Sequence, residues 1–413
     1  MVQLDGKPPL IIMKSTKTSQ INSPTALLQR AVTGVVPRAL AEAKLAAGKP
    51  LRVYFGIDPT GAKLHLGHAV PLRKLKEFQA AGHHIILLIG SFTAMIGDPS
   101  GRDNMRESLT AAQIKKNFAT YKKQAKLVLP LGKVEIVFNH KWLGKLSSQK
   151  LLALAGKFTV QQMLERDMFK ERQKRQQPIA VHEFLYPALV GYDSVMLDVD
   201  CEIGGNDQLF NMLCGRTLQQ AYGKRDKFVV TTKILEGTDG RKMSKTYDNC
   251  IYLTDEANDM YGKVMSIKDE LIVSYFEMCT NLALVEIKTI ELGLKQGDNP
   301  KKHKTRLARE IVAIYHGTKA AAKAEQEFES VHREGKLPTD IPTMPIPKGV
   351  TKMLVIDLVV YLELASSKAQ ARRLVEQGGV KVDGKVVSDW RAEVSLKPGI
   401  VAQVGSRKFG KLG

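Results

Sequence analysis

The sequence predicts an α/β protein: a parallel-sheet domain, then an α-helical domain, then a small α+β domain. Three observations carry this. Residues 51–57 (LRVYFGI) form an unbroken apolar run of strand length, as a strand buried on both faces requires. A helical segment at 67–81 separates that run from a second one at 85–89, which makes a β-α-β unit with a right-handed parallel crossover. Near the far end, residues 380–387 alternate around Asp383-Gly384, the pattern of a tight hairpin.

Taken in order, residues 1–50 read as a polar tail and an Ala/Leu-rich helix over 24–47, ended by Gly48-Lys49-Pro50. Strand 51–57 runs into the turn Asp58-Pro59-Thr60-Gly61, and the helix at 67–81 stops at Gly82. Helices are expected over 110–129 and 147–176, with a strand at 134–138 between them. Residues 197–203 and 228–232 read as strands on either side of a helix at 207–222. Residues 51–250 therefore make one sheet domain with a helical insertion. Residues 251–335 are helical and mixed in charge, and 336–349 are Pro-rich and aperiodic, an expected linker. Residues 350–413 begin with two helices, at 353–364 and 368–377, before the hairpin.

A chain of 413 residues suits two or three domains, and its formal charge of +20 points to a polyanionic partner. The four cysteines show neither Cys-x-x-Cys nor zinc spacing, so no metal site and a reducing, cytoplasmic setting are expected. The first 20 residues lack a signal-peptide apolar stretch, and the longest apolar stretch, 85–97, is too short to span a membrane.

Two short motifs carry the chemistry: His65-Leu66-Gly67-His68 and Lys242-Met243-Ser244-Lys245. His65 and His68 share one face at a helix N-terminus, where backbone N–H groups and the dipole favour an anion. Gly67 leaves room for a flat ring against the backbone. Alone, His-x-x-His equally describes half of a zinc site or two surface histidines. Lys242 and Lys245 sit in the Gly-rich loop GTDGRKMSKTYDN, which alone could be a solvated basic loop. Together the motifs describe a site that grips nucleotide phosphates from two sides by positioning and charge, with no covalent nucleophile.

At these residues the chain resembles the class I aminoacyl-tRNA synthetases, whose two signatures occupy these places. Four further blocks resemble the tyrosine-specific members: Tyr54 through Thr60, Gly97-Asp98-Pro99-Ser100-Gly101, Tyr186 through Asp193, and Gly204-Gly205-Asn206-Asp207-Gln208. The last 64 residues resemble the S-four-like RNA-binding domain of bacterial members. The resemblance implies a Rossmann-type catalytic domain, an anticodon-side helical domain, and a ligase that joins L-tyrosine to tRNA(Tyr). ATP, with Mg²⁺, would first form tyrosyl-adenylate; a symmetric homodimer, with its interface within 130–180, is also implied. The tryptophan enzyme, and a non-catalytic RNA-binding paralogue, are the competing readings.

The family roles fall on matching positions. Tyr54 and Asp193 would hydrogen-bond the substrate phenol, Asp98 and Tyr186 would hold its ammonium, and Thr93 would line the same pocket. Gly56, Asp58, Gly67, Asp207, Gln208 and Lys245 would face ATP and the adenylate. Thr60, His65 and His68, with Lys242 and Lys245, would bind the phosphates. Three positions depart from the pattern. Val190 stands where a glutamine commonly helps hold the ammonium, a loss worth about 1.5–3 kcal/mol. Glu202 stands where some members have glutamine, and its charge is expected to compensate by attracting the ammonium. Thr246 replaces the final serine of the lysine motif and keeps its hydroxyl.

Residues 350–413 carry 11 Lys and Arg against 6 Asp and Glu. Lys368, Arg372 and Arg373 line one helix face, an expected stripe for tRNA phosphates.

Overall fold

The computed structural model describes residues 24–98, 109–333, 341–405 and 408–413. These fall into two compact units. The first holds Met1–Gly237, Arg241–Thr254 and Val273–Lys288, and the second holds Thr238–Gly240, Asp255–Ile272 and Thr289–Gly413.

The first unit is built on six strands: β1 (Val32–Val36), β2 (Arg52–Ile57), β3 (His84–Ile89), β4 (Val134–Phe138), β5 (Cys201–Gly205) and β6 (Phe228–Thr232). Their order is β1-β6-β5-β2-β3-β4, and all neighbours are parallel except β1 against β6. Parallel central strands are covered on both faces, and accordingly Ile85 through Ile89 and all of β6 are buried. The signature helix α1 (Leu66–Ala80) follows β2 and buries Leu66, Leu72, Leu75 and Phe78. Helices α2 (Val181–Leu197) and α3 (Leu209–Ala221) pack against each other so closely that Gly191 has no room for a side chain. A Cβ there would lie 3.0 Å from the Cys214 carbonyl carbon and 3.0 Å from the Gly215 nitrogen.

Three expectations need correction. The helix read over 24–47 is a 3-10 turn (Pro24–Leu28), strand β1 and a helix at Arg38–Ala46. Val32, Thr33, Val35 and Val36 favour an extended chain, and Pro37 has no N–H to donate inside a helix. The helix read over 147–176 is three helices, Ser148–Ala155, Val160–Leu164 and Asp167–Lys174. Gly156 ends the first, and the Thr159 side chain caps the second by accepting from the Gln162 N–H. The strand read over 197–203 begins only at Cys201, because α2 runs to Leu197 and closes on Asp198 at φ 47°.

In the second unit, helices Ala257–Met265, Pro300–His316 and Thr318–Arg333 pack together. Residues 273–288, read with the helical domain, cluster instead with the first unit. The C-terminal part pairs helices Val355–Tyr361 and Lys368–Glu376 with a five-stranded sheet. Asp383 (φ 46°) and Gly384 (φ 78°) make the expected primed hairpin turn. Of the segment read as linker, residues 336–340 lie outside the described residues, while Thr343–Met344 joins that sheet in parallel with Lys408–Leu412. Among the described residues no helix is long and apolar enough to cross a membrane.

Gly191→Val is expected to cost about 1–3 kcal/mol through overpacking of α2 on α3. Scanning calorimetry should show the first unit melting several degrees lower; an unchanged Tm would contradict the close approach.

Candidate active site

The carboxyl ends of β2 and β5 and the N-terminus of α1 converge on one cleft of the first unit, where open α/β sheets take ligands. Its floor is a hydrogen-bonded chain of buried polar groups. Asp193, 1 % exposed on α2, accepts from Trp142 Nε1 at 2.7 Å and from Asn139 Nδ2 at 3.1 Å. Asn139 also donates to Thr93 Oγ1 at 3.1 Å, and Thr93 donates to Asp58 Oδ1 at 2.7 Å. Tyr186 donates to the other Asp58 oxygen at 3.0 Å. Burial pushes the Asp193 carboxyl well above the usual carboxylate range, while its two N–H donors work in the opposite direction. Gly90 is required here, because a Cβ would overlap Asp58 Oδ1.

Beside this chain, Tyr54 is 1 % exposed on β2, and its hydroxyl lies 2.8 Å from Ser194 Oγ. Behind Ser194, the ammonium of Lys227, fully buried, is paired with the Glu202 carboxylate. This corrects the expectation for Glu202. Its charge is neutralised by Lys227 beside the Tyr54 ring, so it is not the compensating partner for an ammonium near Val190.

At the cleft's mouth, the His65 and His68 rings lie 3.8 Å apart. The backbone N–H of His65 donates to His68 Nδ1 at 3.3 Å, which leaves the proton of neutral His68 on Nε2. His65 Nδ1 is buried without a hydrogen-bond partner. A Cβ on Gly67 would lie 3.0 Å from that atom. Desolvation, each other's proximity and Lys242 lower the imidazole pKa values, to about 2 for His65 and, through desolvation and Lys242, to about 4 for His68. Both rings are therefore neutral at pH 7 and act as N–H donors rather than as charges.

The lysine motif meets this helix. Leu66 N–H donates to Ile251 O at 2.9 Å and Leu253 N–H to Leu64 O at 2.9 Å, forming a bridge of His65 with Tyr252. Lys242 Nζ lies 2.8 Å from Asp207 Oδ2, and Lys245 is exposed in the turn Lys245–Tyr247. Asn249, the last residue of that loop and given no role in the sequence reading, shapes it. Its side-chain oxygen accepts from Ser244 N–H at 2.8 Å, and its amide donates to the carbonyls of Arg241 and Lys242 at 3.3 and 3.2 Å.

The structure thus joins Asp58, Thr93, Tyr186 and Asp193 through Asn139 in one network, with Tyr54 bonded separately to Ser194 beside it. It stacks His65 on His68 and pairs Lys242 with Asp207. Gln208 Nε2 donates to Asp98 Oδ2 at 2.8 Å, joining a residue expected at the adenylate to one expected at the ammonium. Asp58 likewise bonds the ammonium-side Tyr186, so the expected division between the two subsites runs through Asp58. Thr60 N–H donates to Asp58 O at 2.8 Å. Gly56 is exposed, and a Cβ there would make only ordinary contacts, 3.6 Å from Leu88. Pro99, Ser100 and Gly101 lie outside the described residues. Sequence reading missed Asn139, Trp142, Ser194 and Lys227, none of which belongs to a recognisable motif.

In the C-terminal domain, Lys368, Arg372 and Arg373 are exposed on one helix. Lys368 Nζ lies 2.7 Å from Asp357 Oδ1, and Arg372 donates to Glu376 at 2.7 Å. The guanidiniums of Arg372 and Arg391 lie over the Trp390 ring at 4.6 and 4.7 Å, which adds Trp390 and Arg391 to this basic surface.

A signature helix presenting neutral imidazoles, bridged to a lysine loop over a parallel sheet, defines a nucleotide-activating ligase fold. Residues 46–333 match the family described as tRNA synthetases class I (W and Y), and residues 356–395 match the S4 domain. The chain belongs to this class I tRNA synthetase family. It is 45 % identical over 392 residues to the tyrosine--tRNA ligase of Moorella thermoacetica, covering 94 % of each chain. It is also 45 % identical to that of Idiomarina loihiensis over 379 residues, covering 92 % of this chain and 94 % of the relative. In fold it is similar to a C-terminally truncated mitochondrial tyrosyl-tRNA synthetase of Aspergillus nidulans, with TM-score 0.62, 24 % identity, and 75 % and 94 % of the two chains covered.

Because the folded pKa values of His65 and His68 lie below the unfolded value near 6.5, the unfolded chain binds more protons in acid. Their contribution to stability is present above pH 6.5 and is lost as pH falls from there, toward 4 for His68 and toward 2 for His65. The Tm of His68→Asn is expected to fall less steeply over that window than that of the wild type; parallel curves would contradict neutral burial.

Proposed function

We propose that this chain attaches L-tyrosine to tRNA(Tyr) in two steps. A tyrosine carboxylate oxygen attacks the α-phosphorus of ATP, pyrophosphate leaves, and the resulting acyl-adenylate passes its tyrosyl group to a hydroxyl of the tRNA 3′-terminal ribose, releasing AMP. The observation that supports this reading is that one unit holds both buried polar side chains, Tyr54 and Asp193, suited to a substrate phenol, and a helix N-terminus with His65 and His68 near Lys242, suited to phosphates.

Asp193 can accept one more hydrogen bond, from a substrate phenol, and would be left short of a partner by phenylalanine. Asp98, Tyr186 and Thr93 line the path toward the substrate ammonium and carboxylate. Gly56, Asp58, Gly67, Asp207 and Gln208 surround the adenylate. Thr60 and the N–H groups of His65 and His68 bind the phosphates, and Lys242 and Lys245 offset the charge that builds on departing pyrophosphate. Mg²⁺ would enter bound to the ATP phosphates, as this ion commonly does, and help neutralise them. Lys368, Arg372 and Arg373, with Trp390 and Arg391, contact tRNA phosphate and sugar. Leu152 and Val160, respectively 73 % and 64 % exposed, support a homodimer formed within residues 130–180. The four cysteines, all free in the structure, fit the reducing cytoplasm.

Purified protein is expected to charge tRNA(Tyr) with tyrosine, and not with tryptophan, in an ATP-dependent reaction that EDTA stops; absence of charging would refute the reading. Lys242→Ala and Lys245→Ala should each lower kcat of tyrosine-dependent ATP–pyrophosphate exchange by about 10²–10³-fold with little change in tyrosine KM. A raised tyrosine KM at unchanged kcat would contradict their role. Arg372→Ala and Arg373→Ala should each reduce the slope of log affinity for tRNA against log salt by about 1.

A further inference from the structure

Lys227 lies on neither motif, yet the fold goes to some length to bury it. It immediately precedes β6, is fully buried, and its ammonium touches two groups: Ser194 Oγ at 2.8 Å and the Glu202 carboxylate. Gly215 on α3 makes the space, because a Cβ there would crowd both Ser194 Oγ and Lys227 Nζ. An isolated buried charge pair is weak evidence for stability, since desolvation offsets most of its attraction. A buried ammonium does one thing that no neutral group can do as firmly. It has three protons and no lone pair, so every atom it touches must accept.

That constraint propagates. Ser194 must offer a lone pair to Lys227, which frees its single proton. Its other close neighbour is Tyr54 Oη at 2.8 Å, while Glu202 lies at 3.4 Å and is already engaged by Lys227. With the Ser194 proton on Tyr54 Oη, the Tyr54 proton points away, toward the cleft. On the far side each Asp193 oxygen accepts from an N–H donor, so both are already committed as acceptors.

We propose that Lys227, held by Glu202, is a positioning residue that acts through Ser194 to make Tyr54 a hydrogen-bond donor to the substrate's para oxygen. The direction of donation runs Lys227 to Ser194 to Tyr54 to substrate oxygen, and from the substrate O–H to Asp193. The relay selects a para group that both accepts and donates through one oxygen. It rests on the reading that Tyr54 and Asp193 face the substrate phenol. It also explains why Glu202 in this chain stands where some relatives have glutamine: Lys227 needs a counter-charge.

Para-aminophenylalanine tests the direction, since its nitrogen donates two protons and accepts poorly. The wild type should prefer tyrosine to para-aminophenylalanine in kcat/KM for ATP–pyrophosphate exchange by about tenfold, the worth of roughly one hydrogen bond. In Ser194→Ala, Tyr54 Oη loses the donor that fixes its hydroxyl, while Glu202 stays engaged by Lys227. The hydroxyl is then free to turn a lone pair to the substrate. The ratio of para-aminophenylalanine to tyrosine kcat/KM should rise about tenfold, with the KM for ATP unchanged. A purely structural role would lower both amino acids together and leave the ratio fixed, which would overturn the proposal. Near-equal use of the two amino acids by the wild type would overturn it without any variant. Absence of exchange with either would instead refute the tyrosine-activating reading on which the relay stands.

Discussion

Burying carboxyl groups only where hydrogen-bond donors meet them is the constraint on which the rest of this site depends. Moving an ionised carboxylate out of water costs several kcal/mol unless donors replace the lost solvent. Asp193, Glu202 and the half-buried Asp58 all lie behind the ends of β2 and β5. Each is met by donors delivered from a different element. Asn139 follows β4 and Trp142 comes one turn later, Thr93 lies beyond β3, Tyr186 lies on α2, and Lys227 immediately precedes β6. The sheet order sets these elements side by side, so the acidic floor exists only in the assembled unit. The glycines at 90 and 215 follow from the same constraint, because they vacate the volume that the donors and acceptors occupy.

The mouth of the cleft obeys a different rule. Its imidazoles are kept uncharged by desolvation and by the nearby Lys242 ammonium, so positive charge there is concentrated on the lysine loop. The antiparallel bridge between His65 and Tyr252 ties that loop to the signature helix. Asn249 shapes the lysine-bearing turn from within, by satisfying backbone groups that would otherwise be unpaired. The two signatures, 177 positions apart between His65 and Lys242, are thereby joined by backbone hydrogen bonds rather than by side chains alone.

How much of this was legible in the sequence follows from where each signal resides. The apolar runs of β2, β3, β4 and β6 are local, and they stand within a residue or so of where periodicity puts them. The motif residues were legible through type and spacing. Asn139, Trp142, Ser194 and Lys227 were not, because each meets its partner in the site across 25 to 140 positions of chain, and nothing local marks a lysine as buried. Glu202 was misread for the same reason: its charge was visible and its partner was not. Strand β1 was lost to the Ala/Leu-rich residues around it, although its own Val and Thr content pointed the other way.

The central claim is that the cleft floor is built around a hydroxyl that the protein does not supply. Calorimetric titration of the free protein with tyrosine and with phenylalanine tests it most directly. A pocket built to pair a substrate hydroxyl rejects the analogue lacking it by about 10⁴–10⁵-fold, a figure for which tyrosine-specific synthetases are themselves the type case. The account expects saturable heat with tyrosine and none with phenylalanine at the same concentrations. Comparable affinity for the two would show that Asp193 and Tyr54 do not face the substrate phenol, and the account would fail.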